Sequence, residues 1–132
     1  MARYGIDAPT FLALVRSDDA LHPTHQLVAP NALRSQGLQL LLDEVRSGTL
    51  AERDALALHE RMTETKVRLL GDRVSRRTAW DLARSHDWPD LVHAEYLAVT
   101  RLQADALVTT DPALSARAKG IVPLAPFSSL FT

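Results

Sequence analysis

Cysteine is absent from the 132 residues, which excludes disulfides, thiolate zinc sites and cysteine nucleophiles. Glycine is scarce, at five residues, and no Gly-rich phosphate loop is among them, so a P-loop or dinucleotide fingerprint cannot be built. Aromatics make up 5% of the chain, and Trp80 and Trp88 lack the spacing of a base-stacking platform. Core packing is the plainer expectation for both. No run of about 18 apolar residues exists, so no membrane span is expected. The opening Met-Ala-Arg-Tyr-Gly-Ile-Asp lacks the longer apolar core of a signal peptide, and a cytoplasmic location is expected. An excess of either charge is also missing. The formal net charge is −1, which argues against a uniformly basic coat and leaves room for a local basic patch.

A hydrophobic fraction of 46% is enough for one ordinary core, and residues 1–132 are expected to form a single domain. Strand and helix signals alternate. Arg3 to Ile6 reads as a strand ending at Asp7, and Pro9 opens a helix through Phe11, Leu12, Leu14 and Val15. Gln26 to Ala29 is a second strand. A long helix follows Pro30 and Asn31 and stops at Gly48. Thr49 is a candidate cap for a helix over 51–63. Further strands are expected at 66–70, 106–109 and 121–124, with helices at 74–85, 91–103 and 112–119, Asp90 capping the helix from 91. This alternation predicts a central parallel sheet of four to five strands with helices on both faces, a three-layer α/β/α fold. Sites in such sheets lie outside the carboxyl ends of the strands. Asp7 and Asp111 occupy two of those ends. Each also precedes a proline-containing first turn and suits a helix cap.

Tyr4-Gly5-Ile6-Asp7, His93-Ala94-Glu95-Tyr96-Leu97-Ala98 and Ala106-Leu107-Val108-Thr109-Thr110-Asp111 stand in an order and spacing that resembles the PIN domain family. Within it the chain looks like the VapC-like toxin ribonucleases of toxin–antitoxin pairs, of actinobacterial type. Pro30, the helix after it and Gly48 resemble the family's second helical segment. The resemblance covers essentially the whole chain. It implies a metal-dependent endoribonuclease using Mg²⁺ or Mn²⁺, an RNA substrate, a cognate antitoxin-like protein and a homodimer. It also implies four acids, and only two are here. Asp7 fits the first and Asp111 the last. The second falls six positions after Pro30, on Gln36, and the third eighteen before Asp111, on His93. Gln36 keeps an acceptor oxygen without the charge. His93 brings a neutral nitrogen that suits Mn²⁺, Zn²⁺ or Ni²⁺ better than Mg²⁺. Asp7, Gln36, His93 and Asp111 are thus the candidate catalytic set, with Asp7, His93 and Asp111 as candidate metal ligands. The alternative is a weakened or inactive PIN-fold protein that binds RNA or an antitoxin.

Neighbouring acids offer little compensation by position. Asp90 shares a helix face with His93 only if the helix already includes it. Asp43 lies two turns from Gln36, and Glu44 lies on another side. Arg73, Arg76 and Arg77 form a basic cluster at a helix start, suited to phosphate contact or to a solvated face. His22, His25, His59 and His86 show no ligand spacing and are expected at the surface. The long helix has Leu38, Leu41, Leu42 and Val45 on one side, with Leu33 and Leu40 elsewhere. That doubly apolar pattern is the basis for expecting a homodimer or antitoxin groove. A phosphoacceptor receiver domain is a poor match, because no acid pair precedes Asp7 and Lys119 comes before the last expected strand.

Overall fold

A computed structural model describes residues 1–132. Its elements are β1 (Arg3–Ile6), α1 (Ala8–Arg16), β2 (Gln26–Pro30), α2 (Leu33–Ser47), α3 (Glu52–Glu64), β3 (Arg68–Leu70), α4 (Arg73–His86), α5 (Val92–Gln103), β4 (Ala106–Val108) and α6 (Pro112–Ala118). A 3-10 turn, Phe127–Phe131, follows them. The four strands are all parallel, in the order β3-β2-β1-β4. Parallel neighbours require helical crossovers, and these cover the sheet as a three-layer α/β/α fold. The strand sequences match that burial. Leu27-Val28-Ala29 and Ala106-Leu107-Val108 are continuous apolar runs, buried throughout, where a half-exposed sheet would alternate. α5 lies against β1, β2 and β4 and pairs with α4, while α1, α2 and α3 pack on one another.

The strand order matters for function. The chain steps from β1 to β2 to β3 in one direction, and β4 then returns to the other side of β1. The direction reverses between β1 and β4, and it is outside the carboxyl ends at such a switch point that open parallel sheets place their sites. Asp7 follows β1 directly, and Asp111 follows β4.

Helix ends follow local chemistry. Asp7 caps α1, Asp72 caps α4 and Asp111 caps α6, each through its own carboxylate. Gly48 closes α2 in the left-handed region at φ 83°. Thr49 does not cap α3 as expected; its hydroxyl donates to the Glu44 carbonyl and finishes α2 instead. Asp90 lies outside α5 and accepts from the Val92 amide at 3.1 Å.

The expected fifth strand is not formed. A single parallel bridge joins Leu107 to Leu124, with Leu107 N–H donating to the Pro123 carbonyl at 2.9 Å. Pro123 has no N–H to continue a ladder, so the pairing stops after one bridge.

Gly5 sits where β1 meets α5. A Cβ there would lie 3.1 Å from Thr100 Cβ and 3.3 Å from Thr100 Cγ2, and closer still to the hydroxyl. Thr100 is buried, and its hydroxyl donates to the Tyr96 carbonyl at 2.8 Å. It cannot turn away without losing that bond. Gly5→Ala is therefore expected to lower stability by about 1–3 kcal/mol, the usual range for overpacking. Urea melts of both proteins would check this, and an unchanged midpoint would mean that α5 yields freely.

Candidate functional site

Asp7 is 3% exposed, so its surroundings decide its chemistry. Its Oδ1 accepts from the Thr10 amide at 3.3 Å and from the Thr10 hydroxyl. Its Oδ2 accepts from the Thr109 hydroxyl at 2.8 Å. A carboxylate has about four acceptor positions, so Asp7 keeps roughly one. Burial pushes its pKa above the ordinary 3.8, and the hydrogen bonds from Thr10 and Thr109 pull part of the way back.

Thr109 joins the two acids. Its hydroxyl donates to Asp7 and accepts from the Asp111 amide at 3.0 Å. Thr10 braces the same turn by accepting from the Thr110 amide at 2.9 Å. The Asp111 backbone nitrogen thus lies two hydrogen bonds from the Asp7 carboxylate. Asp111 is the more open acid, with its side chain 31% exposed. Its Oδ1 accepts from the Ala113 amide at 2.9 Å, and its Oδ2 faces His93 Nε2 at 3.4 Å.

His93 lies at the start of α5 with both ring nitrogens engaged. Arg117 Nη1 approaches Nδ1 at 3.1 Å. A guanidinium only donates, so Nδ1 is the acceptor and a neutral ring carries its proton on Nε2, toward Asp111. Arg117 itself lies over the Trp88 ring, 4.9 Å from its centroid, and His86 stacks on that ring at 4.8 Å. Gln36 joins from the first turns of α2, its Oε1 accepting from the Tyr96 hydroxyl. Tyr96 stays protonated. Burial, then the charges of Asp7 and Glu95, raise its pKa beyond the usual tyrosine range.

Three of the four residues picked out by resemblance therefore meet in one network, and Gln36 is bonded to Tyr96 beside it. Asp7, Thr109, Asp111, His93 and Arg117 are linked in turn, and Gln36 reaches Tyr96, which feels the Asp7 charge. Tyr96 and Thr109 lie within the segments that carry the resemblance, whereas Thr10 and Arg117 carried no signal.

A Mg²⁺ or Mn²⁺ ion is commonly held by one or two carboxylates, with water and substrate phosphate completing its shell. Asp7 and Asp111 are two carboxylates linked through Thr109, with the hard oxygen donors that such an ion takes. His93 lies beside Asp111, and no group of three His, Asp or Glu side chains stands arranged as a ready ligand set. In this arrangement His93 turns Nδ1 to Arg117 and Nε2 to Asp111.

The other candidates lie apart. Arg77 pairs with Asp81 at 3.1 Å on the exposed face of α4. Arg76 lines a small cleft with Glu95, Ser75 and Pro30 at the carboxyl end of β2, and Arg73 is exposed at the start of α4. Asp72, beneath the cluster, has its pKa lowered by the Ser75 amide and hydroxyl before any charge from Arg76. Glu44 is spoken for by Arg16 at 2.7 Å, and Asp43 accepts from Gln39 at 2.9 Å. Trp80 is 56% exposed, contrary to the core position expected of it, because it falls on the solvent face of α4 opposite Ala79 and Leu82.

No protein-family model matches the sequence, and no curated protein matches it. Among solved structures the chain is similar to PAE2754 from Pyrobaculum aerophilum, known from a crystal structure. The two share 20% identity with a TM-score of 0.74, over 98% of this chain and 93% of that one. At that identity the likeness establishes the three-layer α/β/α fold alone.

Proposed function

We propose that the chain is a PIN-type endoribonuclease of the toxin kind, cleaving RNA phosphodiesters with Mg²⁺ or Mn²⁺ held by Asp7 and Asp111. The observation that supports this most is the Asp7–Thr109–Asp111 link at the carboxyl ends of β1 and β4, where the strand order reverses. When bound, a divalent ion supplies neutralising charge at the scissile phosphate and activation of water. The chain's own residues do the positioning. Thr10 and Thr109 fix the Asp7 carboxylate in one rotamer, and the Ala113 amide fixes Asp111. Tyr96, protonated, holds Gln36 as a neutral acceptor at the edge of the site. Arg76, exposed near the carboxyl end of β2, is a cation that an RNA phosphate could meet.

The same reading implies a cytoplasmic protein with an antitoxin-like partner and a homodimer. No helix is long and apolar enough to cross a membrane. Leu38, Leu42 and Leu56 are 44%, 48% and 58% exposed along a cleft between α2 and α3, an apolar face suited to such docking.

The test is cleavage of a mixed RNA pool. Mn²⁺ is expected to support it at lower concentration than Mg²⁺, because Mg²⁺ gives up its water reluctantly and the site offers only two charges. A chelator should stop the reaction. RNA that is retained but left uncut with either ion would favour the second reading, a PIN-fold binding protein. Arg117 favours that reading, since its charge offsets one of the two carboxylates through His93.

A further inference from the structure

The amino edge of the sheet carries a feature that the acid site does not explain. A cleft of about 730 Å³ opens there, the largest of the five main clefts. Arg3, Lys66, Arg68, His22, His25 and Gln26 supply its polar wall, and no acid lines it. Arg3 and Gln26 begin neighbouring strands, and Arg68 begins the next one over. None of the three cations has an acidic side chain as an ion-pair partner. Asp105, nearby, is engaged with the Arg3 backbone amide at 2.8 Å.

His25 adds an independent sign. It was expected at the surface, yet its Nε2 is buried and is the chain's only buried side-chain polar atom without a partner. The Ala2 amide donates to its Nδ1 at 3.2 Å, so Nε2 carries the proton and is an unmet donor. The ring is held edge-on by Tyr4, with centroids 5.1 Å apart, and beside His22 at 5.3 Å. The Thr24 amide likewise donates to His22 Nδ1 at 3.3 Å, leaving His22 Nε2 as a second donor. Buried donors are rarely left unmet. A buried unmet donor among unpaired cations calls for a ligand that accepts and is negatively charged.

We infer that this cleft binds a phosphate monoester. Three cations around one space match a dianion better than a singly charged diester. The arginine forks and imidazole N–H groups match its oxygens. The cleft exceeds the size of a phosphate group alone, so the group arrives on a larger body, either a free nucleotide or the 5′ end of an RNA. It lies at the opposite end of β1 from Asp7, roughly 10–13 Å away for a strand of four residues. It is thus separate from the cation site.

The test uses the full chain in chelator, so that no cleavage intervenes. Adenosine monophosphate and a hexaribonucleotide with either a 5′-phosphate or a 5′-hydroxyl are titrated while the imidazole N–H signals are followed by NMR. The phosphorylated RNA is expected to shift the His25 and His22 signals. It should bind about tenfold more tightly than its hydroxyl counterpart, the worth of one charge-assisted hydrogen bond or more. Arg3→Gln combined with Arg68→Gln, both exposed positions, should erase that difference, and Asp7→Asn should leave it intact. Adenosine monophosphate shifting the same signals marks a nucleotide site, and RNA alone doing so marks an RNA-end site. Imidazole signals that no ligand moves, with equal affinity for the two RNAs, would overturn the inference.

Discussion

Asp7→Asn is expected to reduce divalent-ion-dependent RNA cleavage by about a thousandfold or more, as removal of one member of a cooperating set does. It should do so without lowering stability. Asp7 is buried, and burial raises its pKa above 3.8 despite the Thr10 and Thr109 hydrogen bonds. A carboxyl whose folded-state pKa is raised contributes stability that is fully present below its unfolded value. That contribution is lost as pH rises through the folded value. At neutral pH in chelator the ionised Asp7 is therefore a burden on the fold. The asparagine amide removes the charge, and the hydroxyls of Thr10 and Thr109 can rotate to meet it. The melting temperature at pH 7 should be equal or higher than that of the parent, with less decline between pH 4 and pH 7. Cleavage rates and thermal melts on the same preparations decide the matter. A variant that melts well below the parent would make its inactivity a folding defect. A variant that cuts normally would remove Asp7 from the reaction.

The second large effect runs the other way. Gln36→Glu together with His93→Asp should tighten Mg²⁺ binding by about a hundredfold, roughly tenfold for each unit charge acting on a divalent ion across a wet site. The first change keeps an existing partner, because the protonated Tyr96 hydroxyl donates to a carboxylate as readily as to the Gln36 amide oxygen. The second removes the ring that Arg117 holds and places a carboxylate beside Asp111. Calorimetric titration with Mg²⁺ reads the gain directly, and cleavage should rise with it. If affinity stays at the parent level, these positions do not surround a cation. If affinity rises while RNA remains uncut, these positions surround a cation that does not serve RNA cleavage.

The sequence made the layers legible because apolar runs and helical periodicity alternate without interruption from Arg3 to Ala118. It made the positions of Asp7 and Asp111 legible because strand ends in parallel sheets are where side chains converge. The fifth strand was misread for a local reason. Ile121 to Leu124 has β-type side chains, but the single imino acid among them ends the ladder. The connecting residues were illegible for a different reason. Thr109 stood in a segment that carried the resemblance but without a stated role, and Thr10 looks like an ordinary turn threonine, until the register of β1 against β4 sets one beside Asp7 and the other beneath Thr110. Arg117 meets His93 across 24 positions because α6 passes the start of α5, a crossing that no periodicity encodes. His25 looked like a surface histidine because nothing in its neighbourhood shows that Tyr4 closes over it.

The lone bridge between Leu107 and Leu124 also bears on how the protein behaves in a crowd. An exposed strand edge is a template for another chain, and it seeds fibrils and swapped dimers. On the β4 side that template is covered. The Pro123 carbonyl takes the Leu107 amide, and the Leu107 carbonyl takes the Ala125 amide at 3.0 Å, so the segment seals the edge without becoming a strand that would offer a new one. The opposite edge is β3, only three residues long and led by a charged side chain, Arg68. With one edge sealed and the other short and charged, end-to-end strand addition has no purchase at either side of the sheet. Copies that did associate would have to meet through the helical faces.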